Sequence, residues 1–291
     1  MSMTDAYLTA MKASYANQEG GITIPADQLD SVVEIPLGFQ PMGIASRPNT
    51  DGGDEVVIAA YYEPAICTAV VKRDDQGLHF AVSWIRGVDH GIQSVRLFPD
   101  LFQPGGANRA QTVNFGPDGT LWVSRNAERD FYVLSPPEAG KDRWRLIKKV
   151  TLPTLDAMMV HSALVTGERL YTIESNGELN LWSYCAYAIE ADQKPALDKE
   201  SRVSSWFYGI GIAGNGHIVA VTDYRAKTPH GIYDIEDTNH EQLLIPDIWG
   251  NGICFLSDGS ALVTRYGQSH SGAMNGMPGA LVYVPANLFN L

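Results

Sequence analysis

The sequence predicts an all-β propeller of about five four-stranded blades, preceded by a short helix. Three observations carry this reading. One hairpin pattern recurs five times, four of the five copies share a tight polar turn, and each copy is flanked by two further extended runs.

The elements follow in chain order. Residues 1–21 form a helical segment. Thr4 stands as its N-cap, Asp5 lies in its first turn, and Tyr7, Leu8, Met11 and Tyr15 share one face before Gly20-Gly21 ends it. From residue 22 to 291 the texture changes to short β-rich runs separated by Gly, Asp, Asn and Pro, too closely spaced for βαβ units. No linker-like stretch divides them, so the remainder reads as one propeller domain.

The hairpins are PMGIASRP with EVVIAAYY, AQTVNFGPDGTLWVSR, VHSALVTGERLYTIES, YGIGIAGNGHIVAVTDY and NGICFLSDGSALVTRY. Asp118-Gly119, Gly167-Glu168, Asn215-Gly216 and Asp258-Gly259 supply tight turns, whereas the first copy has a looser loop from Asn49 to Asp54. Runs such as SVVEIP and RLIKKVTLP precede the hairpins, and runs such as TAVVKR and ELNLWSY follow them. Placing the preceding run innermost makes each hairpin the second and third strands of its blade. Sheets repeated this way bury their faces by radial packing. A sixth, irregular blade within residues 80–110 is the alternative. GITIPADQL echoes ALVYVPANL near the C-terminus, as an outer closing strand would.

Composition limits the function. A formal net charge of −12, from 21 Lys+Arg against 33 Asp+Glu, offers no basic stripe for nucleic acid. No run approaches a membrane span, and the first 20 residues show no signal-peptide pattern, which points to a cytoplasmic protein. Cys67, Cys185 and Cys254 lack metal or redox spacing and read as reduced core thiols. Cys254, following the Asn251-Gly252 turn, is the one candidate nucleophile among them. No serine hydrolase, zincin, Walker or dinucleotide motif is present.

The segments GPDGTLWVSR, SDGSALVTR and GNGICFLSDG resemble the repeat of the NHL, SMP-30/gluconolactonase and virginiamycin B lyase group of propellers. Members of that group usually have six or seven blades, so a count of five is a departure.

Register then predicts a site. Counting outward from each turn along a regular ladder places Met42 opposite Tyr61, Gln111 opposite Arg125, His161 opposite Glu174, Tyr208 opposite Asp223, and Asn251 opposite Arg265. These pairs would ring one mouth of the axial channel, where ligand sites commonly lie. His161 held by Glu174 would be a general acid or base. His161-Ser162 followed by Glu174 is similar to the His-to-Glu arrangement of the catalytic blade in virginiamycin B lyase, and that resemblance implies metal-assisted elimination. Asn251-Gly252 resembles the metal-binding Asn-Gly of SMP-30-type lactonases. It implies a divalent cation, Mg or Ca, held by Glu174, Asp223 and Asn251. Gln111, Arg125, Tyr61, Tyr208 and Arg265 are the expected substrate-binding residues, the arginines for a carboxylate or other oxyanion, with Tyr62, Tyr224 and Tyr266 as aromatic walls. His90, His230 and His270 lie in loops expected on the same face.

Three functions remain in view. The first is an enzyme performing proton-transfer chemistry (elimination, ring opening or cyclisation) on a small organic substrate. The second is a metal-dependent lactonase or esterase. The third is a non-catalytic propeller binding a ligand or a protein.

Overall fold

The computed structural model describes residues 21–37, 39–60, 65–84, 110–116, 118–125, 129–138, 144–153, 158–176, 181–189, 194–267 and 279–289. The expected N-terminal helix lies outside them. The described strands form five antiparallel sheets, one per blade.

Blade 1 runs outward as β3 (Pro41–Pro48), β4 (Asp54–Ala60), β5 (Ala65–Arg73) and β6 (Gly77–Trp84), with β1 (Ile22–Pro25) added as a fifth, outermost strand. Blade 2 consists of β7 (Ala110–Phe115), β8 (Leu121–Arg125), β9 (Asp130–Ser135) and β10 (Arg145–Thr151). Blade 3 consists of β11 (Met158–Thr166), β12 (Arg169–Asn176), β13 (Leu181–Ala188) and β14 (Ala196–Arg202). Blade 4 follows with β15 (Phe207–Ile212), β16 (Ile218–Thr222), β17 (Gly231–Asp234) and β18 (Gln242–Pro246). Blade 5 holds β19 (Gly252–Phe255), β20 (Ala261–Arg265) and β21 (Ala280–Val284), and is completed by β2 (Val33–Pro36) from the start of the chain.

The hairpins and turns are those the sequence predicts, with Gly119, Gly167, Gly216 and Gly259 all at positive φ. The blade phase differs by one strand. β3, β7, β11, β15 and β19 contact one another in a cycle, so the first strand of each hairpin is innermost. The run preceding each hairpin is the outer strand of the blade before it. RLIKKVT completes blade 2, and SVVEIP, expected in blade 1, closes blade 5. GITIP pairs with β6 and not with the C-terminal blade.

Five buried apolar clusters fill the five blade interfaces, which closes the ring. The closing cluster joins Ile35, Leu37 and Phe39 of the N-terminal segment to Leu262, Leu281 and Tyr283 of blade 5. All three cysteines are buried and free. Burial pushes Cys67 and Cys254 up to about 12, so Cys254 is a core thiol and not a nucleophile. Among the described residues no helix is long and apolar enough to cross a membrane.

Candidate functional site

Each inner strand of blades 1 to 4 carries one extra residue near its start. Pairing jumps from Pro41↔Ala60 to Ile44↔Ile58, from Ala110↔Arg125 to Thr112↔Ser124, from Val160↔Glu174 to Ser162↔Ile173, and from Phe207↔Thr222 to Gly209↔Val221. These β-bulges leave Gln111, His161 and Tyr208, and one residue of Met42-Gly43, outside the ladder. Asn251 takes the equivalent place in blade 5, just ahead of Gly252. The residue after each is small: Gly43, Thr112, Ser162, Gly209 and Gly252. The reason is the narrow axis. A Cβ on Gly43 would lie 2.7 Å from the Thr112 Cα, and one on Gly252 would lie 2.7 Å from the Met42 carbonyl oxygen. This fivefold pattern (MG, QT, HS, YG, NG) is the sequence signal that marks the ring most directly.

The bulges overturn the predicted pairs of blades 2, 3 and 4. A one-residue slip moves a side chain to the other face of its strand. His161 therefore does not meet Glu174. Its Nε2 lies 2.5 Å from Ser175 Oγ, and its ring packs on Trp182 and Tyr208, each with centroids 4.6 Å away. Burial, reinforced by the Arg225 charge, pushes the imidazole down to about 3, so it is neutral at physiological pH.

That shift has a measurable consequence for stability. The folded state resists protonating His161 while the unfolded chain accepts the proton near pH 6.5, so stability is full above that pH and falls as pH drops toward 3. One such group gives a slope of about 1.4 kcal/mol per pH unit. His161→Leu is expected to flatten the wild-type fall in unfolding free energy between pH 6.5 and 4 by that amount. Urea titrations at several pH values check this, and an unchanged slope would show that the imidazole is not held neutral.

Glu174 faces blade 2. Fully buried, it binds Arg129 Nη1 at 2.5 Å and accepts hydrogen bonds from Thr172 Oγ1 and Tyr187 Oη, both at 2.7 Å. Arg129 also donates to the Pro153 carbonyl. Burial opposes the Arg129 charge, but Glu174 outweighs it and holds the guanidinium above its ordinary value. Glu174 is thus an inter-blade clamp, neither the orienter of His161 nor a metal ligand.

The other expected residues divide similarly. Arg265 lies over Trp249 at 4.6 Å and pairs with Glu34 of β2 at 2.5 Å, so it fastens the closing strand. Asn251 accepts from the Tyr266 amide through Oδ1 and does not pair with Arg265. Asp223 accepts from the side chain and amide of Arg225 through Oδ1. The structure does not bring Glu174, Asp223 and Asn251 together as the expected Mg or Ca ligands. Among the described residues no three His, Cys, Asp or Glu side chains are placed to hold a metal ion. Tyr61, Tyr62, His90 and His270 lie outside the described residues, as does the Arg125 side chain. His230 bonds the Tyr224 carbonyl.

Arg225 went unread in the sequence. Its guanidinium binds Asp223 at 2.6 Å and lies 5.2–5.3 Å from the Trp206, Tyr208 and Tyr224 ring centres. Burial works against its charge, but Asp223 outweighs that and raises it above its ordinary value. Met42 and Tyr266 belong to one buried apolar cluster, against which Tyr208 and Tyr224 pack.

Four buried polar atoms at this end have no hydrogen-bond partner among the described residues. They are Gln40 Nε2, Gln111 Oε1, Asp223 Oδ2 and Asn251 Nδ2, on residues at most 1% exposed. Their other polar atoms are engaged: Gln111 donates to the His161 carbonyl, and Gln40 accepts from the Gly267 amide. Two unpaired donors and two unpaired acceptors thus lie about the start of the inner strands.

No protein-family model and no curated protein matches the sequence. Solved structures do resemble this one. A PQQ-bound aldose sugar dehydrogenase from Streptomyces coelicolor has a TM-score of 0.50 at 9% identity, over 90% of this chain and 99% of that one. A virginiamycin B lyase from Staphylococcus aureus has a TM-score of 0.41 at 15% identity, over 88% and 74%. A luciferin-regenerating enzyme has a TM-score of 0.48 at 12% identity, over 91% and 95%. At such identities the likeness is one of fold.

Proposed function

We propose that this propeller is a small-molecule enzyme of the proton-transfer type, acting on a polar organic substrate at the start of its inner strands. The observation that carries the reading is the set of four buried, unpartnered polar atoms. Each such atom left unsatisfied costs roughly 1–3 kcal/mol, so the ring favours a guest bearing both donors and acceptors. His161 supplies the chemistry. A neutral imidazole in an aromatic enclosure is a poor base but a competent hydrogen-bond donor to a carbonyl or enolate oxygen, because little charge must be desolvated. Ser175, on the adjoining strand, fixes the ring through Nε2 and leaves Nδ1 for the substrate. Arg225, beside the cluster, favours an anionic substrate.

The test is a turnover screen by NMR with lactones, cyclic esters and β-substituted carboxylic acids. His161→Ala is expected to lower turnover of any active compound at least 100-fold, a loss within the range for removing one hydrogen-bond donor to a developing oxyanion, while circular dichroism stays unchanged. Near-wild-type turnover in that variant would sink the assignment.

A second reading is a non-catalytic binding propeller. It is favoured by the packing of Met42 with Tyr208, Tyr224 and Tyr266 in one apolar cluster at this end. A compound that raises the melting temperature of the wild type without being turned over would support it.

A further inference from the structure

A cleft of about 250 Å³ opens between blades 3 and 4, outside the ring. Its walls include Trp182 and Trp206, whose ring centres are 5.6 Å apart at a 31° tilt, too close to admit a guest between them. Trp182 is itself buried and stacked on His161, so the half-buried Trp206 presents the aromatic surface left open to the cleft. Arg202 and Lys227 line the same cleft, both exposed, and neither has an acidic partner among the described residues. The two serines that line it are already engaged, Ser204 with Glu241 and Ser205 with Thr228. The cleft therefore offers a flat apolar face and two cations, but few neutral hydrogen-bonding groups.

We infer that this cleft is a binding site for a small planar organic anion, a single unsaturated ring carrying one carboxylate. The ring would pack against the half-buried Trp206 and the carboxylate would bind Arg202 and Lys227. The size argues for one ring, because pockets for drug-sized ligands begin near ~300 Å³. The charge argues for an anion. Arg202 and Lys227 are both exposed and line one aromatic cleft without an acidic partner among the described residues, so both are available to a ligand. Aromatic packing and charge act together here, since a carboxylated ring meets Trp206 and the two cations in one pose. Trp182 also packs on His161, so the cleft adjoins the ring and its occupant would be sensed there. The inference does not depend on the ring's being catalytic.

Titration of tryptophan fluorescence with benzoate and nicotinate, with benzamide as the uncharged control, tests it. The carboxylates are expected to bind saturably and benzamide at least 10-fold more weakly. Arg202→Gln with Lys227→Gln, two surface changes that leave the core intact, is expected to weaken carboxylate binding at least 10-fold. Binding to the wild type should weaken with added salt, because both cations are exposed. His161→Ala should retain carboxylate binding within about threefold even if it abolishes turnover, which separates failure of this site from failure of the catalytic reading. Absence of saturable carboxylate binding, equal binding of benzamide, or no effect of the double substitution would each overturn the inference.

Discussion

Glu174→Ala is expected to lower the unfolding free energy by about 3–5 kcal/mol, the usual cost of removing one partner from a buried ion pair. The carboxylate is fully buried and receives Arg129, Thr172 and Tyr187 together, while the Arg129 side chain is only 12% exposed. Removing Glu174 leaves a guanidinium between blades 2 and 3 with its principal counter-charge gone. Arg129→Ala should cost a similar amount. Replacing both with leucine should recover much of the loss, because a desolvated pair often roughly breaks even against apolar packing. Equilibrium unfolding in urea measures all three. A Glu174→Ala loss below about 1 kcal/mol would mean that the clamp is not structural, and would reopen a functional role for the carboxylate.

Removing residues 1–37 is expected to abolish cooperative folding. β2 supplies the fourth strand of blade 5, pairing from Val33↔Tyr283 to Pro36↔Ala280. Ile35 and Leu37 are 7% and 4% exposed within the core that joins blade 5 to blade 1. Burying each such side chain contributes about 1.5–3 kcal/mol, and the Glu34 to Arg265 pair and the β2 ladder are lost with them. Together these approach the whole stability of an ordinary domain, about 5–15 kcal/mol. Differential scanning calorimetry reads the outcome. A sharp transition within about 5 °C of the wild type, a shift worth only ~1–2 kcal/mol at this size, would show that the ring does not depend on this closure.

The sequence reveals the hairpins because their turns are punctuated by Gly, Asp and Asn, and those residues occupy the conformations that recommend them. Blade phase is harder to read. β10 and β14 are exposed along most of their length, and an outer strand sits next in sequence to the following inner one with no composition break between them. RLIKKVT therefore reads equally well as the start of one blade or the end of another. The closing strand is hidden for a related reason, since partners at opposite ends of the chain leave no local trace. The ring positions were legible and their partners were not. Counting from the turn assumes a regular two-residue alternation, and one bulged residue inverts it for everything beyond. Val160 opposes Glu174 and both face blade 2, whereas His161 turns toward Ser175, Trp182 and Tyr208. Arg225 escaped notice because it follows the hairpin by a few residues, where the repeat pattern carries no expectation.

The bulges also separate inheritance of the scaffold from inheritance of chemistry. A residue that takes no part in the ladder can change without disturbing register or turns. The five ring positions already hold a thioether, two amides, an imidazole and a phenol on one repeated frame. A lineage built on this frame can exchange the reactive groups at its axis one at a time, each trial leaving a folded protein on which selection can act.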